Sequence, residues 1–216
     1  MIPDFTRKQL SGLSIAGNRP LVICDVDEVI VHFTRGFEDY LRERGMWLDV
    51  SSFALNGNVK MAKTDEPVAD KVVSGLIDQF FHDKTAELEA IEGAVTSLAS
   101  LAQKASVVLL TNLPHHARDK RIANMVSLGV HHPVVTNSGP KGPAISHLAA
   151  QTSKPVVFVD DSPNFILSAR DHAPNVHLVH FLHDPRFARH HEPFDFASLT
   201  TGAWAEALPH IEELLE

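Results

Sequence analysis

The sequence predicts an α/β protein in which a parallel sheet is covered by helices on both faces and a mainly helical segment follows the first strand. Three observations lead to this prediction. Several short apolar runs lack the alternation of half-buried strands, as is typical of strands buried on both faces. Helical patterns separate the later runs, which favours parallel strands joined by crossover helices. The stretch from about residue 34 to 91 breaks this rhythm.

Five strands and five helices make up the predicted core. Apolar runs predict strands at 21–26, 106–111, 133–136, 155–160 and 176–181. Apolar residues at three- and four-residue spacing predict helices at 94–104, 114–128, 142–151 and 163–171. From about residue 183 we expect a loop and then an amphipathic helix that packs on the core. Its apolar side consists of Trp204, Leu208, Ile211, Leu214 and Leu215.

The inserted segment is expected to contain two helices and no strand. Thr34 is the predicted N-cap of the first helix, and Gly45 lies just past its end. A loop around LNGNVK separates it from a second helix after TDEP. The apolar stripe of that helix consists of Val68, Val72, Val73, Leu76, Ile77, Phe80 and Phe81. The chain is therefore divided into a core domain, residues 1–33 and 91–216, and a helical unit, residues 34–90.

Charge and hydropathy narrow the possible partners. The formal net charge of −8 argues against a nucleic-acid polymer or an anionic membrane as the main partner, because both attract basic surfaces. No apolar run approaches the roughly 18 residues that span a bilayer. The N-terminus lacks the continuous apolar region of a secretory signal. We expect a cytoplasmic protein.

Cysteine and histidine give no indication of a metal site. The single cysteine, Cys24, excludes an internal disulfide and a multi-cysteine zinc site, and its apolar surroundings predict a small buried core residue. The 14 histidines include the doublets His115-His116, His131-His132 and His190-His191. Adjacent side chains diverge, so we expect solvated histidines rather than chelating pairs.

Polar residues end three of the predicted strands. In open α/β sheets, ligands bind beyond the carboxyl ends of the strands, so these residues are candidates for one shared site. A single acid has a simple explanation as a cap or turn residue, but that explanation does not predict the others. The candidates are Asp25 and Asp27 after LVIC, Thr111 and Asn112 after VVLL, Asp160 and Asp161 after VVFV, and Lys141 at the start of a helix.

Four stretches of the sequence resemble, in chain order, the four motifs of the haloacid dehalogenase (HAD) superfamily. They are ICDVDEVI, VVLLTN, GPKGPAI and VVFVDDS. AIEGAVTSLASLAQKASVVLLTN is similar to that family's return from the cap into the core. The core resemblance covers about residues 20–33 and 91–182. It implies a Rossmann-like three-layer sandwich and, as in most members, Mg²⁺-dependent phosphatase activity. The helical unit matches the position of a C1-type cap.

The resemblance also implies roles that agree with the chemistry of phosphoryl transfer. Asp25 would be the nucleophile and form an aspartyl phosphate. Asp27 would protonate the leaving alcohol and then deprotonate water. Asp25, the Asp27 backbone carbonyl and Asp160 would hold Mg²⁺. Thr111 and Lys141 would bind the phosphoryl oxygens by a hydrogen bond and by charge.

Four further residues near the motifs have functional roles that are less narrowly defined. Asp161 is expected to orient Lys141 or a metal-bound water. Asn112 is a candidate phosphate ligand and Asn164 a supporting residue, although an N-cap and a turn amide explain them equally well. Glu28 stands where the family often has glycine. We expect its carboxylate to point away from the metal, and its role stays open.

Other classes of protein that use similar residues fit the motifs less well. Halide leaves without a proton, so a dehalogenase would not need Asp27. A phosphonate hydrolase would need a Schiff-base lysine from the cap, where Lys60, Lys63 and Lys71 are better explained as surface residues. A receiver-type signalling domain has its acidic pair on the first strand and its lysine last, the reverse of this order. A HAD-fold binding protein without turnover stays open.

The expected function is that of a phosphomonoesterase acting on a small phosphorylated metabolite, the one partner predicted. The segment from Val31 to Val59 is faintly similar to the HAD-type 5′(3′)-deoxyribonucleotidases, which makes a nucleotide monophosphate the alternative substrate. Four aromatic residues could stack on a base, although core packing is the favoured explanation: Phe33, Phe37, Trp47 and Phe53. Physiological substrate and oligomeric state stay open.

Overall fold

A six-stranded parallel sheet in the order β5-β4-β1-β6-β7-β8 forms the centre of the protein. The computed structural model describes residues 1–52, 54–189 and 191–216. The strands of this sheet are β1 (Leu21–Cys24), β4 (Ser106–Thr111), β5 (Val134–Thr136), β6 (Val156–Asp160), β7 (His177–Phe181) and β8 (Leu199–Thr201). All five predicted core strands are therefore confirmed.

Both faces of the sheet are buried, which explains why the strands are apolar without interruption. Along β1, Val22 and Cys24 join one hydrophobic cluster, whereas Leu21 and Ile23 join the cluster on the opposite face. Successive side chains of a strand point to opposite faces, so a sheet covered twice needs apolar residues at every position. Cys24 is a buried free thiol whose pKa is raised by burial and by Asp25, as the sequence predicts.

Helices cover the two faces and complete the predicted α/β architecture of three layers. One cluster contains apolar residues of α4, α5 and α9, and the other contains those of α1, α6 and α7. The helices are α1 (Asp4–Ser11), α2 (Phe33–Arg42), α3 (Asp70–Lys84), α4 (Ala94–Lys104), α5 (Arg118–Ser127), α6 (Gly142–Ala149), α7 (Pro163–His172), α8 (Pro185–Ala188) and α9 (Trp204–Leu214). The predicted bounds of α4 are confirmed without change. Helix α9 packs on the core through Trp204 and Ile211.

The segment between β1 and α4 contains α2 and α3 as predicted, but the expectation that it lacks strands is wrong. Met46–Leu48 (β2) and Val59–Met61 (β3) pair as an antiparallel ribbon. Each strand has three residues, which is too short for an alternating pattern to stand out from its surroundings. Within α3 the predicted stripe is only partly correct, because Val72 is exposed.

The predicted N-cap of α2 is also wrong. The helix begins at Phe33 with His32 in the capping position, and Thr34 lies inside its first turn. The backbone N–H of Thr34 donates to the Glu28 carboxylate at 2.6 Å. The Glu28 side chain, from the loop after β1, therefore accepts a hydrogen bond from a backbone N–H in the first turn of α2. Gly45 follows the helix at a positive φ of 69°, as the sequence predicts.

The two chain ends hold elements that the sequence analysis did not identify. Helix α1 precedes β1, and the Thr6 hydroxyl donates to the Thr136 carbonyl at 3.1 Å. The expected loop after residue 183 contains α8 and the sixth strand, β8. Strand β8 pairs with β7 over only three residues, from Leu199 to Thr201, and includes two threonines. So short and polar a run does not resemble a core strand.

The sequence predicts neither a membrane-spanning helix nor chelating histidine pairs, and both expectations are compared here with the described residues only. In the described ranges, none of the helices combines the length and apolar character needed to cross a bilayer. His115, His116 and His131 are exposed, as expected for solvated histidines, whereas His132 and His191 are half-buried, which the sequence did not predict. His190 and Phe53 lie outside the described residues. The division of the chain into a core domain and a separate helical domain stays a prediction.

Candidate active site

Adjacent strands end together at the edge of the sheet where the sequence places its polar residues. Strand β1 lies between β4 and β6, and Cys24 is in register with Leu109 of β4 and Val159 of β6. Asp25 and Asp160 directly follow these paired positions. The two carboxylates therefore leave the sheet side by side at the same level.

Lys141 joins these two carboxylates. Its Nζ lies 2.7 Å from Oδ1 of Asp25 and 2.6 Å from Oδ2 of Asp160, and its side chain is fully buried. Burial opposes the charged form, but Asp160 and Asp25 outweigh it and raise the pKa of Lys141 above its ordinary value. The lysine is therefore a fixed cation beneath the site.

The Lys141 backbone is fixed by close packing of α6 against α7. A Cβ at Gly142 would lie 2.1 Å from the Ser168 carbonyl oxygen, a distance that no side chain tolerates. The Gly142 N–H donates to Oγ of Ser168 at 3.0 Å. Glycine after Lys141 therefore permits the helix contact that sets the position of the lysine.

Three carboxylates converge on a point where they could bind a metal ion. Asp25, Asp160 and Asp161 each offer one oxygen, and these atoms lie within 4.8 Å of one another. Burial raises the pKa of Asp160 to about 7 although Lys141 opposes the shift. Burial and then the charge of Asp160 raise the pKa of Asp161 well above its usual range. One lysine does not balance three carboxylates, so the residues fit a hard divalent cation that prefers oxygen ligands.

Asp161 is closer to the metal position than the sequence indicates. Lys141 pairs with Asp25 and Asp160, and Asp161 contributes an oxygen to the cluster itself. The Asp161 backbone is anchored separately, since His180 Nε2 lies 2.9 Å from its carbonyl oxygen. The geometry favours a direct ligand role for Asp161 over the supporting role expected from sequence.

The second acid of the first motif faces a different partner. Oδ1 of Asp27 pairs with the Arg121 guanidinium, and the Thr111 hydroxyl lies 3.4 Å from Oδ2. Burial raises the pKa of Asp27, although Arg121 opposes the shift. Two of the predicted residues are thus brought together with an arginine that the sequence analysis missed.

Arg121 belongs to a buried polar chain that leads away from the site. It is fully buried on α5, and its Nη1 donates to Oδ1 of Asn124 at 3.2 Å. The Asn124 amide in turn donates to the Leu88 carbonyl at 2.9 Å, where the insertion returns to the core. Residues 117, 121 and 125 are all buried. Their spacing on one helical stripe was the available signal that Arg121 points inward.

The three asparagines of the region have different positions. Asn112 lines the site, but its side chain is held by Asn137 at 2.9 Å and by the Gly139 carbonyl at 2.8 Å. These contacts support a loop-fixing role for its amide. Asn164 is exposed in the first turn of α7 and lines a separate surface cavity with Pro140. The structure does not bring Asn164 into the site.

Glu28 is placed by its contact with α2. Its backbone has a positive φ of 59°, and its Oε1 accepts the Thr34 N–H. Burial raises the pKa of Glu28 while the Thr34 hydrogen bond opposes the shift. Glu28 is not one of the three clustered carboxylates, yet it lines the site cavity, and its orientation away from the metal stays a prediction.

A cavity of about 250 Å³ opens over the carboxylates and combines polar and apolar walls. The sheet edge supplies the polar floor, and the insertion supplies most of the apolar side. The lining residues are Asp25, Asp27, Glu28, Phe33, Leu55, Ile77, Phe81, Thr111, Asn112, Asp161 and Phe165.

The aromatic side chains of the segment between β1 and α4 mostly pack against one another. Phe33 lines the cavity and lies 5.4 Å, ring to ring, from both Phe80 and Phe81. Phe37 is fully buried beside Phe80, away from the cavity. Trp47 is partly exposed and donates to Asp65 at 3.1 Å. Core packing therefore explains Phe37, while Phe33 remains available to a ligand.

The fold matches solved structures although no protein-family model and no curated protein matches the sequence. The parallel sheet flanked by helices is the fold of the HAD hydrolases. Bacillus subtilis YfnB, assigned as a HAD hydrolase and solved with magnesium, is 12% identical with a TM-score of 0.62. The alignment covers 90% of this chain and 98% of that chain.

Two further structures with this fold were solved from other bacteria. A HAD family hydrolase from Deinococcus radiodurans, with bound phosphate and sodium, is 17% identical with a TM-score of 0.61, covering 92% of this chain and 97% of that chain. A Lactobacillus plantarum protein assigned as a phosphoglycolate phosphatase is 13% identical with a TM-score of 0.58. That match covers 89% of this chain and 99% of that chain.

Proposed function

We propose that this protein is a Mg²⁺-dependent phosphomonoesterase that forms a phosphoenzyme on Asp25 and acts on a small phosphorylated metabolite. The observation that carries the proposal is the pairing of Lys141 with Asp25 and Asp160 below a cavity that Asp27 and Thr111 also reach. Phosphoryl transfer depends mainly on positioning and on charge neutralisation, which this arrangement supplies.

In the first step, Asp25 attacks phosphorus and the bond to the leaving alcohol breaks. Lys141 holds Oδ1 of Asp25, so Oδ2 is the attacking oxygen. Protonated Asp27 gives its proton to the leaving oxygen, and the alcohol departs neutral. Burial favours the protonated form that this step requires. The Thr111 hydroxyl donates a hydrogen bond to a phosphoryl oxygen.

In the second step, the Asp27 carboxylate takes a proton from water. The water oxygen attacks phosphorus, the bond from phosphorus to Asp25 breaks, and inorganic phosphate leaves. Asp27 is then protonated again, as the next cycle requires. The same carboxyl group therefore serves as acid and as base within one turnover.

The residues that would hold Mg²⁺ are Asp25, Asp160 and Asp161, together with the Asp27 backbone carbonyl that the sequence resemblance implies. Their hard oxygen atoms and uncompensated negative charge support this assignment. When bound, the ion supplies positive charge that neutralises the phosphoryl group.

The direct test is hydrolysis of p-nitrophenyl phosphate in the presence of Mg²⁺. We expect the wild-type protein to be active and Asp25→Asn to lose about a thousandfold or more in kcat, because the nucleophile is removed. Asp119→Asn makes the same chemical change at an exposed position of α5 and is expected to keep full activity. Activity that survives Asp25→Asn would refute the nucleophile assignment.

Metal dependence is tested on the same protein. EDTA should abolish activity, and added Mg²⁺ should restore it. In thermal unfolding, Mg²⁺ at about 100 times its Kd should stabilise the wild type by about 2.7 kcal/mol. Asp161→Asn should reduce this stabilisation if Asp161 is a direct ligand. Activity unaffected by EDTA would exclude the metal, and no turnover of any phosphomonoester would favour a HAD-fold binding protein.

A further inference from the structure

The composition of the cavity walls indicates which alcohol the site accepts. Resting on the proposed function, we propose that the leaving group is small, uncharged and largely apolar, and that esters with a second phosphate or a carboxylate are rejected. The proposal distinguishes this chain from a phosphoglycolate phosphatase, although a protein assigned that activity shares its fold.

Five of the eleven described lining residues of the cavity are apolar. Leu55, Ile77 and Phe81 come from the insertion, Phe33 is the first residue of α2, and Phe165 lies in the first turn of α7. A polar group that loses water against such walls gains no hydrogen bond in return, whereas an apolar group gains from burial. The walls therefore favour an apolar leaving group.

The charges around the cavity leave no cation for a second anionic group. Among the described lining residues there is no lysine, arginine or histidine. Lys141 is fully buried and paired with Asp25 and Asp160. Arg121 is equally buried and paired with Asp27. Both cations are thus already balanced by carboxylates of the site.

The Glu28 carboxylate opposes the entry of an anionic leaving group. Its carboxylate is fixed by the Thr34 N–H and lines the cavity together with Asp25, Asp27 and Asp161. Asp25 and Asp161 would be neutralised by the metal ion and Asp27 is protonated at the first step, so a carboxylate on the leaving group would meet the like charge of Glu28. Juxtaposed like charges cost several kcal/mol at a desolvated contact, so the site selects against such a substrate.

The volume enclosed over the carboxylates is small, and the cavity opens to solvent on one side. At about 250 Å³ it falls below the roughly 300–1,000 Å³ of sites for drug-sized ligands. Part of that volume must hold the phosphoryl group. A short alkyl chain or a single aromatic ring fits what remains better than the base and sugar of a nucleotide.

The test compares pairs of esters in which one member carries an additional carboxylate. Phenyl phosphate is set against 4-carboxyphenyl phosphate, and propyl phosphate against the phosphate ester of 3-hydroxypropanoate. We expect kcat/KM to favour the neutral member by about tenfold to a hundredfold. In the phenyl pair the carboxylated phenol is the better leaving group, so intrinsic reactivity opposes this result. Nucleoside 5′-monophosphates should be poorer than phenyl phosphate.

Binding can be separated from chemistry with Asp25→Asn protein. Calorimetric titration with Mg²⁺ present should give a Kd about tenfold or more lower for phenyl phosphate than for its carboxylated analogue. This measurement needs no turnover. It also distinguishes weak binding from slow chemistry.

A cation placed on the apolar wall should reverse the preference. Ile77→Lys is expected to lower the neutral-to-anionic ratio of kcat/KM by about tenfold. Val72→Lys adds the same charge to the exposed side of the same helix, away from the cavity, and should leave the ratio unchanged. If Ile77→Lys does not fold, the wild-type ratios and the calorimetry still decide the proposal.

The outcomes separate this inference from the proposed function. Turnover that depends on Asp25 but is equal for neutral and anionic esters, or faster for anionic esters or nucleotides, overturns the inference and leaves the phosphatase intact. No turnover of any ester, combined with no discrimination in binding, refutes both. Discrimination in binding without turnover supports the ligand class and refutes the phosphatase.

Discussion

Arg121 shows how strongly one buried residue can constrain the proposed chemistry. Its guanidinium pairs with Asp27 inside the protein, and among the described residues its further side-chain hydrogen bond goes to Asn124. The proposed acid can deliver its proton only if it is held beside the leaving oxygen. Arg121 is therefore a positioning residue, because it acts on the substrate through Asp27.

Replacing Arg121 by methionine should affect both stability and catalysis. Removing Arg121 leaves the ionised form of Asp27 without its partner, so the free energy of unfolding should fall by about 3–5 kcal/mol at a pH where Asp27 is ionised. The kcat should fall more for propyl phosphate than for p-nitrophenyl phosphate, because only the poorer leaving group depends strongly on a proton from Asp27. Urea denaturation and steady-state kinetics measure the two effects.

Two comparisons make the Arg121 prediction specific. Arg42→Met removes an exposed cation at the end of α2 and should change stability by less than about 0.5 kcal/mol. Adding Asp27→Asn to Arg121→Met should recover about 0.5–3 kcal/mol, because the unpaired charge is then removed. Equal loss of kcat for both esters, with no recovery in the double variant, would contradict the role assigned to Arg121.

The residues that could be predicted from sequence are those fixed by strand ends. Asp25 and Asp160 follow apolar runs directly, and the parallel sheet brings such positions together without further information. Arg121 and Glu28 act through contacts across 94 and 6 positions of the chain. A charged residue inside a helix pattern is usually solvated. The 117–121–125 spacing was a signal for Arg121, whereas only tertiary packing shows that Glu28 is buried.

At the scale of secondary-structure elements, the contact between α6 and α7 sets the position of Lys141 relative to Asp25 and Asp160. Gly142→Ala should lower the free energy of unfolding by about 1–3 kcal/mol, because its Cβ would overlap the Ser168 carbonyl oxygen. The helices must separate, so phosphatase activity should fall as well. Chemical denaturation and p-nitrophenyl phosphate assays measure both consequences.

Gly75 provides the matched control for this substitution. It lies inside α3, and a Cβ there meets no atom within 4 Å. Gly75→Ala should therefore stabilise the protein by about 0.5–1 kcal/mol through helix propensity alone. If Gly142→Ala stabilises the protein to the same extent and keeps its activity, close packing does not position Lys141.

The elements predicted correctly are those with long, regular patterns. Helix α4 has 11 residues with clear periodicity, and β4 is a continuous apolar run. Strands β2, β3 and β8 have three residues each and depend on a partner strand for their existence. Strand β5 is equally short, but it lies between two helical patterns where a strand is expected, whereas β2, β3 and β8 lie outside that alternation.

For the whole molecule, the acid stability of the fold should depend on a buried histidine. His180 of β7 is fully buried, and its Nε2 is bonded to the Asp161 carbonyl. Burial lowers the pKa of His180 from 6.5 to about 4; the Asp161 hydrogen bond opposes this shift, and the nearby His191 adds to it. The neutral form is therefore the one that the folded state retains.

The sign of the pH dependence follows from this depressed pKa. The unfolded chain binds a proton near pH 6.5, whereas the folded protein binds it only near pH 4. The contribution of His180 is thus complete above about pH 6.5 and is lost as the pH falls toward 4. The shift corresponds to about 3 kcal/mol.

Urea denaturation between pH 7.5 and 4 of the wild type and His180→Gln measures this contribution. Glutamine keeps a donor for the Asp161 carbonyl but does not titrate, so the variant should lose about 3 kcal/mol less than the wild type over this range. The buried carboxylates titrate in both proteins, and the difference between them isolates the histidine. His131→Gln, at an exposed loop position, should follow the wild-type curve. Parallel curves for the wild type and His180→Gln would show that the histidine does not control unfolding by acid.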